Sequence, residues 1–214
     1  MVLDYLIVGS GRCGTKYCQQ LLCSLGIGCS HEAVFHINVT NAEIYPLVGE
    51  EYWHWKEGYV AESSFMAAPF LSNPILTNTK IIHLIRDPIK VIQSFVGLNF
   101  FSGKKGIHLP YENFIYNFLP ELRHVENDPI SKSIWYYKLW NDMIFNGIKN
   151  KNHITFFIDY HNPEKILRFV NSKKEKYFSD KKCNSRQKAI IISKNDVINN
   201  KYFPLIKKYQ IAYL

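Results

Sequence analysis

The chain has 214 residues, 47% of them hydrophobic and 21% charged, with 26 Lys plus Arg against 18 Asp plus Glu and a net charge of +8. That length suits one substantial domain, and that balance excludes a disordered chain and a small scaffold held by disulfides or a metal. The positive excess favours an anionic ligand, but no helix-turn-helix or zinc-finger spacing accompanies it, so nucleic acid is not an expected partner.

Met1 to Val8 is an apolar run of strand length, with the strand itself expected over Val2 to Val8. It meets a glycine loop at once and leaves no room for a signal peptide. Nothing in the chain approaches the apolar length of a membrane span. Five cysteines, four of them crowded as Cys13, Cys18, Cys23 and Cys29 without a C-x-x-C, point to a reducing compartment and to no metal site. A cytoplasmic protein is expected.

Thr15 to Leu25 carries the helical stripe Cys18, Leu21, Leu22 and Leu25 and ends at Gly26, with Cys18 as core filler. Asn38 to Val48 is weakly helical. Gly58 to Ser64 reads as a second short strand, and Ser64 to Leu71 as a helical turn or two. Lys80 to Ile85, "KIIHLI", is the clearest strand of the middle of the chain. Asp87 and Pro88 then open a helix as N-cap and first-turn proline, with Val91, Ile92, Phe95 and Val96 as its apolar face. Phe101 to Pro110 reads as a loop, Ile130 to Lys149 as a long helix, and His153 to Asp159 as a last strand. A helix around Pro163 to Val170 follows, then a terminal helix over Ser193 to Tyr209, bent near Pro204. Strands alternating with helices predict one α/β domain over residues 1–214, a parallel sheet with helices on both faces.

The first loop, Gly9-Ser10-Gly11-Arg12-Cys13-Gly14, sits between a strand and a helix. Helix N-termini offer unpaired N–H groups and a positive dipole, glycines let a phosphate approach the backbone, and Arg12 and Lys16 add charge. An anion site is expected here. Its letters fit two known patterns imperfectly. A dinucleotide site needs an acidic residue roughly 20 positions on, after a second strand. Glu32 has that separation, but "LGIGCSHE" before it is a poor strand. A nucleotide P-loop needs Gly-Lys-Ser/Thr. Here Gly14 is followed by Thr15 and then Lys16, and Asp87 is better used as a helix cap than on a metal.

A second motif follows "KIIHLI". Arg86 stands at the carboxyl end of a buried strand, where α/β sheets bind ligands. Ser94 lies on the next helix on the side of Asp87 and Val91. An arginine fork with a hydroxyl can grip a terminal phosphate.

Together these motifs resemble the sulfotransferases that use 3′-phosphoadenosine 5′-phosphosulfate. In that family a strand leads into Arg/Lys-Ser-Gly-Thr-Thr/Ser and a helix, matched here by Arg12-Cys13-Gly14-Thr15-Lys16. Its second motif places a serine eight residues after an arginine, the interval from Arg86 to Ser94. The resemblance implies a P-loop NTPase-like sulfotransferase architecture. It implies that Gly11, Arg12, Cys13, Gly14, Thr15 and Lys16 hold the donor's 5′-phosphosulfate and that Arg86 and Ser94 hold its 3′-phosphate. Arg12 would stabilise the leaving phosphate, and no metal is implied. The acceptor would be a saccharide or another small molecule with a hydroxyl or amine. Two positions depart from the pattern: Cys13 stands for the usual serine, and "AESS" offers Ser63 and Ser64 where many relatives carry Lys or His.

A hydroxyl acceptor must lose a proton, to a carboxylate or an imidazole within reach. "CSHEAVFH" offers Glu32, His31 and His36. Tyrosylprotein sulfotransferases, which have a similar loop, use a glutamate after the first helix as base. That places Glu32 first, His31 second and Glu62 third. His83 is expected to be a packed strand histidine. The aromatic residues of "EYWHW" (Tyr52 to Trp55) and of the long helix are expected to serve mainly as core, and Arg186 to lie in a solvated loop. An ATP-dependent, kinase-like phosphotransferase and a non-catalytic nucleotide-binding domain are the alternatives.

Overall fold

The first strand, β1 (Tyr5–Gly9), has four consecutive buried residues, which its apolar sequence requires. In the computed structural model, which describes residues 3–35, 58–103, 108–160, 162–172 and 191–210, it is the centre of a five-stranded sheet. The other strands are β2 (Cys29–His31), β3 (Ala61–Ser63), β4 (Lys80–Ile85) and β5 (His153–Phe157). Their order is β2-β3-β1-β4-β5, and every neighbouring pair runs parallel. All the carboxyl ends therefore lie along one edge, and the chain crosses from one side of β1 to the other between β3 and β4. In open α/β sheets that is where ligands bind.

The helices are α1 (Thr15–Ser24), α2 (Pro88–Gly97), α3 (Leu109–Phe118), α4 (Pro129–Ile148), α5 (Glu164–Phe169) and α6 (Lys194–Ile198). Packing groups the described residues into two compact units. One holds 3–35, 58–85 and the described residues from 143 to 172; the other holds 86–103, 108–142 and 191–210.

The first unit contains the sheet. Ile7, Ile82, Leu84 and Phe156 form one core with Cys18, Leu21 and Leu22 of α1 and Ile166 and Leu167 of α5. Each large side chain buried there contributes about 2 kcal/mol. His83, alternating with Ile82 and Leu84, faces the other way and meets Phe145 of α4 edge-on, ring centroids 4.7 Å apart. Because both faces are covered, β4 is buried from Ile81 to Ile85, and this is why it reads as a continuous apolar run. His83 is the packed strand histidine expected of it.

In the second unit Asp87 caps α2, its Oδ1 accepting from the Ile89 N–H at 2.9 Å. The helix packs Phe95 against Phe100, Phe101 and Tyr136. Tyr136 and Trp140 of α4 are fully buried, so the aromatics of that helix are core. Ser193 and Asp196 form a reciprocal capping box at the start of α6.

Four elements differ from the sequence reading. "LGIGCSHE" does contain a strand, β2, because its three residues pair with β3 despite weak local propensity. α3 starts at Leu109, inside the loop read over Phe101 to Pro110, and runs on to Phe118 through residues for which the sequence reading names no element. The stretch Ser64 to Leu71 is a 3-10 helix, Phe65–Phe70, with Pro69 inside it. The terminal helix stops at Ile198, and two separate 3-10 turns, Phe203–Leu205 and Lys207–Tyr209, follow. Pro204 has no N–H to continue an α-helix. The expected helix over Asn38 to Val48, the aromatic cluster Tyr52 to Trp55, His36 and Arg186 lie outside the described residues.

Candidate active site

The turn between β1 and α1 is built around close approaches. A Cβ on Gly9 would stand 2.5 Å from Cys13 Sγ and 2.6 Å from the Leu84 carbonyl oxygen. Gly14 has φ +102°, with Ile158 Cδ1 filling the place of a side chain. Between them Arg12 adopts φ 67°, a left-handed conformation that a side chain disfavours. The loop is thereby wound tightly enough to deliver its backbone to the N-terminus of α1. No side chain caps that helix, and its first turn carries no acidic residue, so its positive end is left to Lys16 and the backbone.

Ser10 is 1% exposed, and its hydroxyl has no hydrogen-bond partner among the described residues. A buried hydroxyl left so costs about 1–3 kcal/mol, a deficit that an acceptor oxygen at the loop removes. The loop's residues therefore fit an anionic group. Cys13 lies differently from the serine it replaces in the pattern. It is wholly buried and belongs to the core cluster with Cys18, so its sulfur packs beneath the loop. As a donor ligand Cys13 has only its backbone to offer.

Above α1's first turn stands His31, the last residue of β2. Its Nε2 is 3.2 Å from Thr15 Oγ1. Burial, and then the charge of Lys16, hold its pKa down to about 4. The ring is neutral near pH 7. An Nε2–H donating to the Thr15 oxygen leaves the threonine proton for an anion; the other tautomer accepts that proton instead.

Glu32 follows at φ 52°, half-buried, its N–H donating to the Ser63 carbonyl at 3.1 Å. Ser63 Oγ in turn donates to the Thr15 carbonyl at 2.9 Å. Glycine loop, His31 and Glu32 are thus brought together through the ends of β1, β2 and β3. Glu62, third among the candidate bases, is corrected: it is 0% exposed and its oxygens accept from Ser30, Ala33 and Val34.

Arg86 and Ser94 belong to the second unit. Arg86 follows directly on β4, is half-buried, and its carbonyl accepts from the Tyr137 hydroxyl at 2.7 Å. Ser94 lies half-buried on α2, on the stripe that runs through Asp87 and Val91.

The sheet order also bears on the ligand. In dinucleotide folds the strand that carries the ribose-binding acid pairs with the first strand. Here β3 lies between β1 and β2, so Glu32 is not in that acid's place. Among the described residues no cluster of His, Cys, Asp or Glu could hold a metal ion, and no helix is long and apolar enough to cross a membrane.

Neither protein-family models nor curated protein sequences give a match to this chain. Solved structures do. A sulfotransferase from Alicyclobacillus acidocaldarius superposes with a TM-score of 0.57 at 12% identity, covering 99% of this chain and 96% of that one. The likeness is one of fold. Sequence reasoning missed the strand β2 and the buried, hydrogen-bonded setting of Glu62; the available signal was a lone carboxylate inside the apolar-flanked "VAESS".

Proposed function

We propose that this chain is a sulfotransferase, moving a sulfuryl group from 3′-phosphoadenosine 5′-phosphosulfate to a hydroxyl or amine of a small-molecule or saccharide acceptor. The reading is carried by the glycine loop, opening at the carboxyl end of β1 onto Thr15, Lys16 and a neutral His31. It is supported by a fold matched end to end by a sulfotransferase.

In this reading the backbone from Gly11 to Gly14, with Thr15 and Lys16, holds the 5′-phosphosulfate. Arg86 and Ser94 hold the 3′-phosphate, the group that distinguishes this donor from ATP. The acceptor oxygen attacks sulfur in line, the bond from sulfur to the bridging oxygen breaks, and that oxygen leaves with the 5′-phosphate. Arg12 neutralises the charge that develops there. The acceptor proton passes to Glu32, with His31 as the second candidate. Burial and the charge of Lys16 make His31 a weak base, and an anion on Lys16 raises its basicity.

The test is thermal melting with 3′,5′-adenosine bisphosphate, with 5′-AMP, and with ATP plus Mg²⁺. A ligand at 100 times its Kd stabilises by about 2.7 kcal/mol. For a chain of this size that is a rise of roughly 5–10 °C. The bisphosphate is expected to stabilise more than 5′-AMP, and Arg86→Ala to erase the difference. Stabilisation by ATP plus Mg²⁺ and none by the bisphosphate overturns the reading in favour of a kinase-like enzyme.

A further inference from the structure

A carboxylate in mid-strand, wholly buried, is costly unless its oxygens are fully engaged. Glu62 occupies the centre of β3, paired with Ser30 of β2 on one side and Leu6 of β1 on the other. Its Oε2 accepts a short hydrogen bond from the Ser30 hydroxyl. Its Oε1 accepts the amides of Ala33 at 2.9 Å and Val34 at 3.2 Å. Burial pushes the Glu62 carboxyl up, and the hydrogen bonds from Ser30, Val34, Ala33 and Phe35 oppose that shift.

Those amides belong to the turn that leaves β2, and Glu32 opens that turn in the left-handed conformation. Successive N–H groups turned inward in this way form a cradle for an anion. Here the anion is part of the chain. The same short stretch of β3 holds the turn at both ends as well: the Ser63 carbonyl accepts from Glu32 N–H at 3.1 Å, and Ser64 Oγ donates to the Phe35 carbonyl at 2.9 Å. Ser63 Oγ also grips the Thr15 carbonyl at the start of α1. Glu62 and Ser63 of β3, with Ser64 directly after it, therefore clasp both the glycine-loop helix and the turn beyond His31.

We infer that Glu62 is a positioning residue: its carboxylate folds the 32–35 turn and so sets His31 and Glu32 against Thr15 and Lys16. A clasp made this way governs the proton-accepting side of the site, while the donor loop keeps its own supports at Gly9, Gly14 and Ser63. The kinetic consequence rests on the sulfotransferase reading; the clasp does not.

Two variants test it. Glu62→Ala removes the acceptor, whereas Glu62→Gln keeps an oxygen for the two amides and gives up the charge and the second oxygen that accepts from Ser30. Amide hydrogen exchange at Ala33 and Val34 is expected to accelerate roughly tenfold or more in Glu62→Ala, with the amides of β4 unchanged, and to stay near wild type in Glu62→Gln. In turnover with the sulfuryl donor, Glu62→Ala is expected to lose about 100-fold in kcat, as small misplacements of catalytic groups do. The donor KM should hold within roughly threefold in that variant, because the glycine loop is not displaced. Glu62→Gln should retain most of kcat. Equal loss of kcat in both variants overturns the inference, since it makes the charge itself the catalytic element. Unchanged exchange in Glu62→Ala overturns it as well. If Glu62→Ala does not fold, Glu62→Gln decides alone: retained protection and turnover support the clasp, and loss of either refutes it. Should the wild type show no binding of the bisphosphate and no transfer, the proposed function fails, and hydrogen exchange in the two variants still decides the clasp.

Discussion

Replacing Arg12 by glycine and by alanine separates the backbone strain at that residue from its charge. Arg12 sits at φ 67° between β1 and α1. A side chain in the left-handed region costs about 1–2 kcal/mol. Glycine removes that cost but adds unfolded-chain entropy, about 0.4–1 kcal/mol in the opposite direction. Whatever the half-buried arginine side chain contributes is lost equally in both variants and cancels between them. Arg12→Gly is therefore expected within about 1 kcal/mol of wild type, and Arg12→Ala about 1 kcal/mol below Arg12→Gly. For a chain of this length each kcal/mol moves the melting temperature by roughly 2–4 °C.

Turnover should not follow that order. Both variants lack the guanidinium that the proposed function sets at the leaving phosphate, and loss of one such contact costs about 100- to 1,000-fold in kcat. Melting scans and initial rates with the sulfuryl donor read the two effects apart. Equal loss of activity with unequal stability is the expected pattern. A fall in melting temperature of more than ~10 °C in Arg12→Gly would make Arg12 a structural residue by the same conversion. Activity retained in either variant would remove Arg12 from the transition state.

Three further outcomes follow from the loop and its surroundings. His31 has its pKa lowered from 6.5 to about 4, so the folded chain binds fewer protons than the unfolded one between those values. The stability associated with it is full above the unfolded value and is lost as pH falls through that interval. Urea unfolding at pH 7.5 and pH 4.5 should show a larger acid loss in wild type than in His31→Asn, and equal losses would refute the shift. Ser10→Ala should leave stability level or slightly higher, while a lost hydrogen bond to the donor weakens bisphosphate binding roughly fivefold to tenfold, read by calorimetry. Unchanged affinity would show that the Ser10 hydroxyl does not meet the ligand. Cys13→Ser installs the residue of the sulfotransferase pattern, but in the core. It should destabilise by about 1–3 kcal/mol in urea unfolding without improving donor affinity. Tighter binding would mean that position 13 faces the donor.

The parts of this fold that can be read from sequence are those whose causes are local. "KIIHLI" announces β4 because a strand covered on both faces has to be apolar throughout, and Asp87-Pro88 announces α2 because cap and first-turn proline act on neighbouring amides. The glycine loop is legible for the same reason, since Gly9 and Gly14 answer close contacts within their own turn and at the adjacent strand ends. β2 has no such local cause. Cys29, Ser30 and His31 are extended because β3, some 30 residues later, offers them a ladder. The helix expected near the C-terminus stops at Ile198, and Pro204, which has no N–H to give, stands in the first of the two 3-10 turns that follow.

The same division runs through the site. Arg12, Thr15 and Lys16 can be named from their turn, and the lowered pKa of His31 cannot, because it depends on burial first and then on Lys16 beside it. Glu62 carries this furthest. A carboxylate in a short strand invites a catalytic role, and as a base it would need solvent and an acceptor. Its role depends instead on which backbone amides it meets, and those lie about 30 residues upstream, in a turn whose shape is set by a left-handed glutamate. The side chain that looks most like chemistry in isolation is satisfied by the fold, and on the proposed function the chemistry falls to the residues beside the turn that it bonds.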